Sequence, residues 1–107
     1  MSMSHASRDP AALEDNAAIV ARTLKALANE RRLMILCTLS AEGEMTVNAM
    51  AEAVGLSQSA LSQHLAKLRE EGIVTFRRNR QTLWYRIADP RVGKLMKQLE
   101  KLFCQSR

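Results

Sequence analysis

The chain has 107 residues, 47% hydrophobic and 25% charged, which suits one globular domain and excludes a large multi-domain enzyme. Its formal charge of +5 is unevenly placed: residues 57–88 carry six basic against two acidic side chains, whereas residues 29–56 carry two against four. The basic half suits a polyanion such as nucleic acid, although a solvated basic surface has the same composition.

Met1–Asp9 is polar and is expected to be a disordered tail, followed by a single domain over residues 10–107. Pro10 suits the first turn of a helix, along which Leu13, Ala17, Val20, Leu24 and Leu27 recur at steps of four and three. That stripe fits a core or a partner subunit. Asn29 is an N-cap for a second helix over about Glu30–Leu39, apolar around most of its circumference and so expected to be central. Ala41–Met45 reads as a connection. Thr46 caps a short third helix, Val47–Val54, which Gly55 ends.

Ser57 caps a fourth helix, Gln58–Glu71, stopped by Gly72. Leu61, Leu65 and Leu68 mark its inner side. Ile73–Phe76 reads as a strand, Arg77–Gln81 as a polar turn and Thr82–Ile87 as a second strand. Trp84 and Tyr85 then point to opposite faces and read as hairpin packing. Asp89 caps and Pro90 opens a last helix, with Val92, Leu95, Met96, Leu99, Leu102 and Phe103 on one stripe. The order α-α-α-α-β-β-α, with a tight turn between the third and fourth helices and a basic hairpin after them, is a mainly helical winged helix-turn-helix.

That pattern points to double-stranded DNA. Ser57, Gln58, Ser59, Ser62 and Gln63 put short polar side chains on or near the outer face at the start of the fourth helix, with His64 and Lys67 at its flanks. Gln pairs with adenine and Ser with several base edges, and a helix N-terminus favours phosphate. Arg77, Arg78 and Arg80 in the hairpin suit phosphates or a narrow minor groove. The bland alternatives are a solvated helix and a charged loop that discourages edge-to-edge association.

Enzymatic chemistry is unsupported. There is no Gly-rich phosphate loop, no nucleophile with an evident base and no pair of carboxylates in a plausible cleft. No cofactor is implied. A module that binds a foreign protein through the first-helix stripe is a competing class. No run approaches the ~18 apolar residues of a membrane span, and Met1–Pro10 has no apolar run of a secretory signal. The protein is expected in a reducing cytoplasm, where Cys37 and Cys104 would not form a permanent disulfide. From spacing alone these cysteines read as small core hydrophobes.

Three segments carry a family pattern: Leu24-Lys25-Ala26-Leu27-Ala28-Asn29-Glu30-Arg31-Arg32-Leu33, Leu56-Ser57-Gln58-Ser59-Ala60-Leu61-Ser62-Gln63-His64-Leu65 and Leu68-Arg69-Glu70-Glu71-Gly72-Ile73-Val74. Together they resemble the ArsR/SmtB family of bacterial winged-helix repressors over roughly Leu24–Cys104. The resemblance implies a homodimer through the first and last helices, a palindromic operator and an inducer that lowers DNA affinity. The metal-sensing members carry Cys-x-Cys on the third helix or Asp and His along the last. Here Thr46-Val47-Asn48 offers no thiolate and only Asp89 remains of the second set, so no metal site is expected; a metal-responsive repressor is the alternative. Ile35-Leu36-Cys37 and Leu102-Phe103-Cys104 instead match the cysteine positions of the family's thiol-responsive branch. That likeness implies a repressor released when Cys37 and Cys104 are oxidised or joined by a disulfide or polysulfide. The inducer would be a reactive sulfur or oxygen species. An activator that displaces a silencing protein from DNA is a further alternative.

Overall fold

A computed structural model describes residues 10–104. The tail expected over residues 1–9 lies outside the described residues, as does the side chain of Leu13 on the first-helix stripe. The elements are α1 (Pro10–Leu27), α2 (Glu30–Glu42), β1 (Met45–Thr46), α3 (Val47–Val54), α4 (Gln58–Glu70), β2 (Val74–Asn79), β3 (Thr82–Ile87) and α5 (Pro90–Phe103).

Local chemistry sets the helix starts. Asn29 Oδ1 accepts from the N–H groups of Arg31 and Arg32, Thr46 Oγ1 from Ala49, Ser57 Oγ from Ala60 and Asp89 Oδ1 from Arg91. Each cap satisfies donors that the first turn leaves without a helical partner. Gly55, at φ 70°, closes α3 in the left-handed region and sets the tight turn into α4.

Two stretches differ from expectation. Residues 41–45 are not a plain connection: α2 continues to Glu42, and Met45–Thr46 forms β1, antiparallel to β3 with Met45 opposite Tyr85. Ser40, Ala41 and Glu42 extend the helix without steric conflict, and a two-residue strand is too short to show alternation. The hairpin is also longer than the apolar pattern suggests. Arg77, Arg78 and Asn79 belong to β2, and the turn is only Arg80-Gln81, with Asn79 opposite Thr82 and Arg80 at φ 61°. Backbone pairing carries the ribbon past the core, so polar side chains there do not mark a loop. The sheet order is β1-β3-β2.

The core gathers Ile35, Leu36 and Leu39 of α2, Met50 of α3, Leu61, Leu65 and Leu68 of α4, Ile73, Val74 and Tyr85 of the sheet region, and Val92 and Met96 of α5. Burying each large apolar side chain contributes roughly 1.5–3 kcal/mol. This core holds α4 by its leucine face and leaves the opposite face in solvent. The last helix packs across α2. That side is less covered: Met34 of α2 is half exposed, so α2 is not enclosed all round, and Ile19, Val20 and Leu24 of α1 are also about half exposed. The last three, with Thr23, Val92 and Leu95, line an open groove of about 260 Å³ between α1 and α5.

Candidate nucleic-acid interface

Capping and burial together aim the start of α4 outward. Ser57 is committed through its oxygen to Ala60 N at 3.1 Å, and its hydroxyl proton stays available to an acceptor. Ser59, Ser62 and Gln63 are exposed opposite the buried leucines. Gln58 is exposed too, and its Nε2 donates to Oδ1 of Asn48 on α3. Gln58, Ser62 and Asn48, with Thr46, Gln81 and Thr82, line a polar cleft of about 360 Å³ between the helix pair and the hairpin. The reading helix and wing thus share one continuous surface.

Not every expected residue belongs to that surface equally. Lys67 lies ten residues beyond Ser57, roughly 15 Å along the helix. It sits 3.8 Å from Glu70 and 3.9 Å from Glu71, and Glu71 also accepts from Arg22 at 3.0 Å. His64 is half-buried at the flank of α4. Burial first, then the cations of Arg32 and Arg31, lower its pKa and keep the imidazole neutral at neutral pH.

The three wing arginines differ in what holds them. Arg77 makes a two-pronged ion pair with Glu44 at 2.8 and 3.0 Å and lies over the Trp84 ring at 5.6 Å from its centroid. The hydrogen bond from Arg77 holds the Glu44 carboxyl below its ordinary range and raises the guanidinium in turn. Arg78 and Arg80 are exposed, with no ion pair among the described residues. They are the arginines left open to a phosphate. Tyr85 is buried against Phe76 and receives a hydrogen bond from Arg69 at 3.2 Å, while Trp84 takes the other face as expected.

Sequence reading passed over Asn48, Glu44, Gln81 and Thr82. Nothing local marks them: each acquires its neighbours only when β1 and α3 fold against the hairpin and α4.

Cys37 is half-buried on α2 and Cys104 is exposed just past α5, where its N–H donates to Glu100 O at 2.8 Å. Both are free thiols. Burial is the main cause that pushes the Cys37 thiol up, and negative charge at Cys104 and Glu100 adds to it. Cys37 thus lies on α2 and Cys104 just past the end of α5, the helix that packs across α2. Among the described residues no three His, Cys, Asp or Glu side chains gather into a metal-holding cluster, and no helix is long and apolar enough to cross a membrane.

A capped polar helix on a buried leucine face, with a basic wing beside it, defines a winged helix-turn-helix DNA-binding regulator. The chain belongs to the ArsR family of bacterial regulatory proteins: the model described as "Bacterial regulatory protein, arsR family" matches residues 29–75, and full-length relatives agree. The transcriptional activator HlyU of Vibrio cholerae is 45% identical over 94 residues, 88% of this chain and 86% of that protein. A biofilm growth-associated repressor of Xylella fastidiosa is 41% identical over 92 residues, covering 86% and 80%. The solved structure of reduced HlyU from Vibrio cholerae superposes with a TM-score of 0.82 at 45% identity, covering 87% of this chain and 97% of that one. The protein is accordingly a transcription regulator and not an enzyme.

Proposed function

We propose that this regulator binds a palindromic operator as a cytoplasmic homodimer and releases it when Cys37 and Cys104 become covalently linked. The observation that carries this reading is the pair of free thiols on two packed helices: Cys37 is half-buried on α2, and Cys104 is exposed at the end of α5, which packs across α2. The half-exposed apolar side chains of α1 and α5 supply the surface for a second copy. Of the expected contacts, Ser57, Gln58, Ser59, Ser62 and Gln63 face the groove, and Arg78 and Arg80 take phosphates. Arg77 is held on Glu44, and His64 and Lys67 stand at the margin.

The chemistry favours Cys104 as the first thiol to react, because Cys37 is shielded and held as the neutral thiol. With a persulfide RSSH, the Cys104 thiolate attacks the outer sulfur and RS⁻ leaves, giving a persulfide on Cys104. Cys37, losing its proton, attacks the inner sulfur and expels HS⁻. A disulfide results, and the two electrons it gives up leave on sulfide. A peroxide runs the same course through a sulfenic acid, with water as leaving group. The link ties α5 to α2, the helix against which α3 packs, while α3 in turn packs on α4; it so changes the spacing of the two reading helices in a dimer. The solved structure of one relative is described as that of reduced HlyU.

Release works in either regulatory direction. One relative is described as an activator and another as a repressor; we favour repression, with displacement of a silencing protein as the alternative. The test is operator binding at one salt concentration by reduced and persulfide-treated protein, with mass spectrometry of each sample. The expected result is a Cys37–Cys104 link within one chain together with weakened binding, and Cys37→Ser protein that keeps its affinity after treatment. Unlinked cysteines with unchanged affinity overturn the reading.

A further inference from the structure

The contact between Gln58 and Asn48 joins the two helices of the helix-turn-helix at the point where a reading helix meets DNA. Gln58 is the first residue of α4 and Asn48 the second of α3, and both are exposed. The Gln58 Nε2 group carries two N–H donors, and one goes to Asn48 Oδ1. That leaves one N–H and the acceptor Oε1 of the Gln58 amide for another partner. One donor beside one acceptor is the complement of adenine in the major groove, which offers N7 as acceptor and N6–H as donor.

A free glutamine lacks that selectivity. Rotation of its amide by 180° exchanges donor and acceptor, and its three side-chain torsions are unconstrained. With Asn48 Oδ1 as the acceptor, only the NH₂ side of the Gln58 amide faces Asn48; the reversed pair, in which Asn48 Nδ2 donates to Gln58 Oε1, would turn both Gln58 N–H donors outward. The Asn48 Nδ2 group remains as a spare donor on the wall of the polar cleft that also holds Ser62 and Thr82.

We propose that Asn48 is a positioning residue for base recognition: it orients the Gln58 amide to read an adenine, and its own Nδ2 donates to a backbone phosphate beside that base. The inference rests on α4 reading the major groove. It adds a residue outside the reading helix that determines specificity without touching the base.

Selection from a random DNA library tests it, using the full chain, reduced, as wild type, Asn48→Ala, Gln58→Ala and the double variant. Circular dichroism confirms folding of each. The wild type is expected to select a palindrome with adenine at one position per half-site. Asn48→Ala is expected to lower the preference at that same position about tenfold, within the range of a lost bidentate contact. Gln58→Ala is expected to do likewise, and the double variant no more than Gln58→Ala alone, as coupled residues require. Preferences elsewhere in the site stay unchanged, which a general loss of structure would not produce. Three outcomes overturn the proposal: guanine at the Gln58-dependent position, since guanine needs two donors; additive losses; or losses at different positions for the two variants. A wild type that selects no motif overturns the DNA-reading assignment along with it.

Discussion

The reading head and the α1–α5 side are finished to different degrees within one chain. At the reading head, Met50, Leu61, Leu65 and Leu68 are at most 1% exposed, and the caps at Thr46 and Ser57 are closed. On the α1–α5 side, Ile19, Val20 and Leu24 are half exposed, and Leu102 and Phe103 are 68% and 80% exposed. The first region buries its apolar face by intramolecular packing alone. The second still holds apolar area in water, next to the exposed thiol of Cys104. The contrast sets a fully packed helix-turn-helix against a side whose apolar surface remains open.

Substitutions in each region separate the two. The largest effect is expected at the finished core: Leu65→Ala leaves a cavity under α4 and lowers unfolding free energy by about 2–5 kcal/mol, read from urea titration. A cost below about 1 kcal/mol would mean that the head is loosely packed. Leu24→Glu attacks the open side. It is expected to leave stability of the isolated chain within about 1 kcal/mol, to shift sedimentation from dimer to monomer, and to weaken operator binding about 100-fold as two linked half-sites become one. A dimer that survives this change would move the interface elsewhere.

Smaller effects distinguish residues within the head. Arg78→Ala is expected to weaken binding to all sequences alike and to lower the salt slope by about one. Arg77→Ala should change the slope less, because that guanidinium is already held by Glu44; equal slopes would erase the distinction between the two faces of β2. The smallest effect concerns pH. His64 has its pKa lowered in the folded state, so the unfolded chain takes up the proton first as pH falls through 6.5. The stability contributed by the neutral imidazole is therefore present above pH 6.5 and lost as pH falls through the folded value. A His64→Gln variant should show a flatter stability profile in that window, and an identical profile would place His64 in plain solvent.

Much of this was legible from short-range signals. Asn29, Thr46, Ser57 and Asp89 are the caps the sequence indicates, and Leu61, Leu65 and Leu68 face inward as their spacing requires. The exposed polar face of α4 follows from the same spacing. The division among the wing arginines was not legible, because Glu44 lies 33 residues from Arg77. Asn48 was visible only as a position lacking a thiolate, since its partner sits on the next helix, ten residues on. Met34 was expected to be buried because apolar residues surround α2, yet it is half exposed among the described residues.

The sequence by itself determined where helices start, which side of each is apolar and which helix carries a polar outward face beside a basic hairpin. Capping and helical periodicity act within about one turn, so their partners are neighbours along the chain. Only the tertiary structure decided that Met45–Thr46 is a strand, that Arg77 is held while Arg78 and Arg80 are open, that Asn48 holds Gln58, and that the helix ending beside Cys104 packs across the helix that carries Cys37. Each of those joins segments that are separate in sequence, and no local propensity specifies the meeting of two such segments until the core between them has packed.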